Sequence, residues 1–199
     1  MSKKNEQDGR KVLSNLVSGI ASQLLTIILG IIVPKLIMDS YGSEVNGLIS
    51  SVTQIYAYVA LLEAGIGLAT LQALYKTIGN KDIPATNAVL SATNRYYHRT
   101  GFLYLGVIII FSFVYPLLVS SDIPFWTVVL VIFLNGIGNV INFFFQGKYV
   151  ILLQAEGKTY IYTRLNMVTN VFKNVAKILL MYFGMDVVFV QAIGLVVSL

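Results

Sequence analysis

The stretch NMVTNVFKNVAKILLM, residues 166–181, carries two lysines and three asparagines in an otherwise apolar run. Asn166, Asn170, Lys173, Asn174 and Lys177 follow the offsets i, i+4, i+7, i+8 and i+11, which places all five on one face of an α-helix. Asn135, Asn139, Asn142 and Gln146 make a second such stripe at i, i+4, i+7 and i+11. Amides offer donors and acceptors to hydroxyl groups and water, and ammonium groups attract phosphate as mobile point charges. Shorter stripes run through Asn15, Ser18, Ser22 and Thr26, and through Asn46, Ser50 and Gln54. Lys35 follows Pro34 near the end of the first apolar run, where it can join the other lysines or reach back to an interface. Glu63 is the one carboxylate inside an apolar run, and a lysine partner, a proton-coupling or ion-coupling group and a helix-end residue near water are its possible roles.

The elements that must position these residues are written for lipid. Hydrophobic residues make up 56% of the chain and charged residues 12%, about half the charge of an ordinary globular domain. Apolar runs of ~20 residues or more cover the ~30 Å of a bilayer core at ~1.5 Å per residue, and they lack strand alternation. The expected fold class is therefore all-α, a polytopic membrane protein rather than a barrel. The chain has no cysteine, which removes disulfides and thiolate metal sites.

Six candidate spans follow: roughly Asn15–Met38, Glu44–Thr70, Arg99–Val119, Phe125–Leu152, Tyr160–Phe183 and Val187 to the end. Residues 1–14 then form a basic tail and 15–199 a six-helix bundle. The junctions DSYGS (39–43), SSDIP (120–124) and GMD (184–186) hold no Lys or Arg, whereas eleven of the fourteen basic residues lie in the tail and the two alternate connections. That is the positive-inside pattern, with the N-terminus cytoplasmic in a multi-pass protein of the inner (cytoplasmic) membrane. The pI near 9.3 is thereby explained by topology, without nucleic acid. Tyr41, Tyr115, Trp126 and Tyr182 fall near the proposed outer interface, and Tyr96, Tyr97, Tyr149 and Tyr160 near the inner one. The stretch DIPATNAVLSATNRYYHR, residues 82–99, can form a helix with Asn87, Ser91, Asn94, Arg95 and His98 on one face, lying at the cytoplasmic interface or extending the third span. The apolar run at the C-terminus, AIGLVVSL, has no polar cap, and the expectation is a chain truncated within its sixth helix, the first part of a longer protein.

A polar stripe in a transmembrane helix is either interhelical glue or the lining of a wet cavity. For the first two helices the readings are balanced. In the fourth and fifth, amides stacked over three turns exceed what pairwise glue requires. A lysine at the centre of a span costs ~2.5–3.5 kcal/mol on insertion scales. Lys173 lies ~20 Å from Tyr160 and ~14 Å from Tyr182 along a helix axis, near mid-membrane. Snorkelling offers Lys177 an escape and Lys173 a partial one, and a water-filled cavity offers both a place. Enzyme chemistry has no support: there is no metal-ligand spacing, no nucleophile with a nearby His, and no phosphate-binding loop. No cofactor or metal is expected. The GIG triplets at 65–67 and 136–138 read as close helix packing or a local break.

The stretch VPKLIMDSYGSEVNGLISSVTQIYAYVALLEAGIGLATLQALYKTI, residues 33–78, resembles the end of the first helix and the second helix of bacterial polysaccharide repeat-unit flippases, members of the multidrug, oligosaccharidyl-lipid and polysaccharide exporter superfamily. Pro34, the turn YGSEVNGL (41–48) and the segment LLEAGIGLA (61–69) carry the likeness. The resemblance implies an N-terminal six-helix lobe that faces a second lobe, absent from this sequence, or a partner subunit. It also implies movement of an undecaprenyl-diphosphate-linked oligosaccharide across the membrane for polysaccharide biosynthesis. On that reading Lys35, Lys173 and Lys177 meet the diphosphate, and Asn139, Asn142, Asn166 and Asn170 contact or hydrate sugars. The alternatives are a cation-coupled multidrug exporter of the same superfamily, using Glu63, and a non-transporting membrane scaffold whose stripes only pack.

Overall fold

The computed structural model of the chain describes residues 2–61 and 64–198. These residues are all-α. The helices are α1 (Ser2–Tyr41), α2 (Ser43–Leu61), α3 (Ala64–Gly79), α4 (Ile83–Leu118), α5 (Phe125–Ile141), α6 (Gly147–Ala155), α7 (Thr159–Tyr182) and α8 (Val187–Ser198). A π-helical turn, Asn142–Gln146, joins α5 and α6 into one continuous helix from Phe125 to Ala155.

Local chemistry sets the boundaries. Asp82 caps α4 by accepting from the backbone N–H of Ala85 at 2.9 Å, and Pro84 sits in the first turn, where its missing N–H costs nothing. Gly157 (φ 69°) and Gly184 (φ 68°) take left-handed values just after α6 and α7, a conformation that stops a helix and penalises any side chain. The polar face at 87–98 belongs to α4, which runs 36 residues, so the segment extends the third span rather than forming a separate helix.

Among the described residues three helices are long and apolar enough to cross a membrane: Gly9–Tyr41, Ile83–Leu118 and Phe125–Ala155. A fourth span results if the pair Ser43–Leu61 and Gly65–Gly79, bent by 47°, counts as one. The six comparable spans expected from sequence are therefore reduced to three or four on length and composition. Helix α7 falls outside the set because Arg164, Lys173, Lys177 and three asparagines interrupt it, and α8 because its twelve residues reach only ~18 Å.

The helices run back and forth between two ends, and side-chain hydrogen bonds tie the junctions together at each. At one end Asn15 of α1 donates to the Gly157 carbonyl (3.0 Å) and accepts from the Tyr160 N–H (2.6 Å). At the other the Tyr41 hydroxyl donates to the Met185 carbonyl (2.5 Å), and Glu44 accepts from the Asp122 N–H (3.2 Å). The junctions without Lys or Arg thus share one end. Helix α7 packs against α1 and α8, α5 against α4, α2 and α8, and α3 against α4 and α6. Val52, Tyr56, Ile108, Val131 and Ile132 form the centre of the core between α2, α4 and α5. In contrast, Leu16, Ile20, Leu24, Ile27 and Ile31 line an exposed stripe of α1, an apolar surface suited to lipid.

The second GIG triplet shows what its glycines are for. A β-carbon on Gly136 would stand 2.8 Å from both the Ile108 side chain and the Tyr56 ring, whereas one on Gly138 would meet only Leu195, at 3.8 Å. Close approach of α5 to α2 and α4 requires the first glycine and not the second. At the first triplet Gly65 has open space around it and Gly67 only an ordinary contact, so close packing is not its role. Gly136→Ala is expected to lower stability by about 1–3 kcal/mol through overpacking, with Gly138→Ala near neutral, as read by thermal unfolding in detergent.

Candidate functional site

The two long polar stripes face each other. A cavity of about 620 Å³ opens between the helix built from α5, the π turn and α6 on one side and α7 and α8 on the other. Asn139 and Asn142 line it from the first side, and Asn166, Asn170, Lys173 and Lys177 from the second. Six of the seven residues expected to bind substrate therefore share one space. The seventh, Lys35, is an exposed residue of α1 and is not among the lining residues. Glu63 lies outside the described residues.

The π turn explains how one helix serves two neighbours. A π turn holds an additional residue per turn. Phe143 and Phe144 both pack toward α4, Phe143 against the rings of Tyr97 and Tyr104 and Phe144 against those of His98 and Phe102. Asn142, Phe145 and Gln146 of the same turn line the cavity. Next to it Gly147 lets the Tyr97 ring approach, since a β-carbon there would stand 2.7 Å from it. Tyr97 is consequently buried at 3% exposure, packed between helices rather than free to face a bilayer.

Not every amide in the stripes is free for a ligand. Asn135 donates to the Val131 carbonyl at 2.7 Å within its own helix, and Asn139 donates to the Tyr104 hydroxyl at 3.4 Å, part of a chain that links α5 to α4 and α2. Asn174 donates to the Asn170 carbonyl at 2.8 Å and is not a lining residue. Polar lining that sequence reasoning passed over includes Thr169 on α7 and Gln191 on α8. Gln191 is a lone amide in the apolar helix VVFVQAIGLVVS, and that isolation was the only available signal.

Gln191 matters because of its partner. Its side-chain carbonyl accepts a hydrogen bond from the Lys177 Nζ at 2.6 Å, and it is itself buried. Gly194, one turn later on α8, leaves the room in which the Lys177 side chain lies, and any β-carbon there would overlap it. Among the described residues the lining holds both lysines and no carboxylate. The one ion pair among them, Lys158 with Glu156 at 2.6 Å, sits outside the cavity at the α6–α7 turn, where the carboxylate raises the lysine pKa. No three His, Cys, Asp or Glu side chains among the described residues are grouped to hold a metal ion. The arrangement is a positively charged, amide-lined space, suited to an anion that also carries hydroxyl groups.

No protein-family profile, curated protein or solved structure matches the chain.

The Lys177–Gln191 contact can be tested alone. Gln191→Leu should lower stability by about 1–3 kcal/mol by leaving a half-buried ammonium without its partner, and a further Lys177→Met should recover most of the loss. A double-mutant cycle by thermal unfolding in detergent measures this, and additive losses would show that the contact contributes nothing.

Proposed function

We propose that the chain is a lobe of a transporter that moves a lipid-linked oligosaccharide diphosphate across the cytoplasmic membrane, with the cavity as its binding site. One observation carries the reading: two lysines and at least three amides from separately predicted stripes line one space that holds no described carboxylate. The phosphate groups of such a substrate meet Lys173 and Lys177, and its sugars meet Asn142, Asn166 and Asn170. Asn139 contributes to both packing and lining. The likeness of residues 33–78 to polysaccharide repeat-unit flippases supports the same assignment. On this reading α7 and α8 complete a six-span lobe, with the basic end cytoplasmic by the positive-inside rule, and a second lobe or partner subunit closes the cavity.

A cation-coupled drug exporter needs a carboxylate in its cavity, and the described lining supplies none. A scaffold that uses its stripes only for packing is favoured by the bonds of Asn135 and Asn139, but not by the lysines.

Two measurements test the proposal. Lys173→Ala combined with Lys177→Ala, in a producing cell, should reduce polymer export at least tenfold while leaving the protein in the membrane, and unchanged export would sink the assignment of the lysines. Because the chain lacks cysteine, single cysteines placed along 165–177 report water access cleanly. Positions 166, 170, 173 and 177, which line the cavity, should react with a membrane-impermeant thiol reagent and positions 168, 172 and 175, which do not, should stay protected, a period near 3.6. Uniform protection would favour the scaffold.

A further inference from the structure

A second basic concavity, which shares only Tyr149 with the lining of the cavity, lies between the first turns of α4 and the start of α6. Asn87, Ser91, Asn94, Arg95 and His98 line it from α4, and Lys148 and Tyr149 from α6. It encloses about 690 Å³.

Three features define what it would take. Arg95 and Lys148 supply the charge, neither has a carboxylate partner among the described residues, and none lines the groove. Ser91 and Asn94 add hydrogen-bonding groups between them. The walls are fixed: His98 is bonded through Nδ1 to the Asn94 carbonyl (2.8 Å) and set edge-on to Phe144, while the Lys148 ammonium lies 4.9 Å from the Tyr149 ring centre.

The position selects among anions. One turn beyond His98 the α4 surface becomes apolar, with Phe102 and Leu103 65% and 73% exposed. The groove therefore sits where a polar helix surface gives way to one suited to acyl chains, which is headgroup depth in a bilayer. A free phosphate would use the cations alone, whereas a phospholipid uses both the cations and the neighbouring apolar surface.

We infer that the groove bounded by Arg95, Lys148 and Ser91 binds the phosphate of an anionic phospholipid headgroup, at a site separate from the cavity. This does not depend on the transport reading, since a bilayer supplies the ligand to any protein embedded in it.

The test uses the full chain with Ala92→Cys, at an exposed position next to the groove but not in its lining and the chain's only cysteine, labelled with an environment-sensitive fluorophore and reconstituted in phosphatidylcholine vesicles with an increasing fraction of phosphatidylglycerol. A saturable response is expected. Neutralising Arg95 and Lys148 together (R95Q/K148Q) should weaken it by more than about tenfold, at roughly fivefold per charge removed. Lys173→Gln with Lys177→Gln should leave it unchanged. Should R95Q/K148Q fail to insert, Asn94→Glu places an opposing charge in the groove and should abolish the response in the same assay. An undiminished response in either variant overturns the site. So does a response reproduced by inorganic phosphate in phosphatidylcholine vesicles, which would assign the groove to free phosphate. A response that follows the cavity lysines instead overturns its separateness.

Discussion

Two ammonium groups in the middle of α7 set the terms for everything around them. In hydrocarbon a lysine costs several kcal/mol, and two of them one turn apart also repel. The fold answers by turning both toward a concavity. Lys177 gains the Gln191 carbonyl at 2.6 Å from α8, and Gly194 removes the bulk that would exclude it. Lys173, one turn nearer the basic end, shares a lining with Asn170 and with the amides of the facing helix. Remove the lysines and neither the lone glutamine of α8 nor its glycine one turn later has an evident purpose.

The same sequence signature serves two ends in this chain, and only neighbours decide which. On α1, Ser14 and Ser18 accept from Arg164 at 2.8 and 3.0 Å while Asn15 clasps the α6–α7 turn, so this stripe holds α7 in place. Along the helix of α5 and the π turn the two uses overlap within one stripe: Asn135 bonds its own backbone and Asn139 reaches Tyr104 while both line the cavity with Asn142. On α7 four of the five polar residues named from the sequence line the cavity, and Asn174 alone turns aside. Hydrogen bonds between helices are worth little individually, and their value here lies in fixing the rotation of α7 so that its lysines point inward.

What could be read from the sequence was local or periodic. Helical class, the alternation of basic and non-basic junctions, and the shared face of Asn166, Asn170, Lys173 and Lys177 all follow from spacing and turn residues. What escaped depends on contacts between distant segments. The π turn at Asn142–Gln146 arises beside aromatic packing of Phe143 and Phe144 on α4, some forty residues away, and the burial of Tyr97 requires Gly147. Lys35 shared a residue type with the cavity lysines but not a helix face turned toward them. The count of spans differed for a further reason: α7 is too polar to pass as a span on composition because its polar face has neighbours, which no average along the chain can register.

Cations in this molecule differ most in how far they are already satisfied. Arg164 is held by two serines and set 5.2 Å from the Tyr160 ring, and its planar fork suits a fixed structural post. Lys158 is neutralised by Glu156. Lys173 and Lys177 have no described carboxylate, and the best partner either has is an amide, which orients a charge without cancelling it. Attraction for an incoming anion is therefore concentrated where compensation is least. Lysine also suits such a place better than arginine would: its charge sits on a flexible stem with rotatable donors, so it can follow a moving ligand instead of fixing one geometry. A cavity that must both attract an anion and release it needs charge that is oriented but not neutralised, and that is the state in which α8 leaves Lys177.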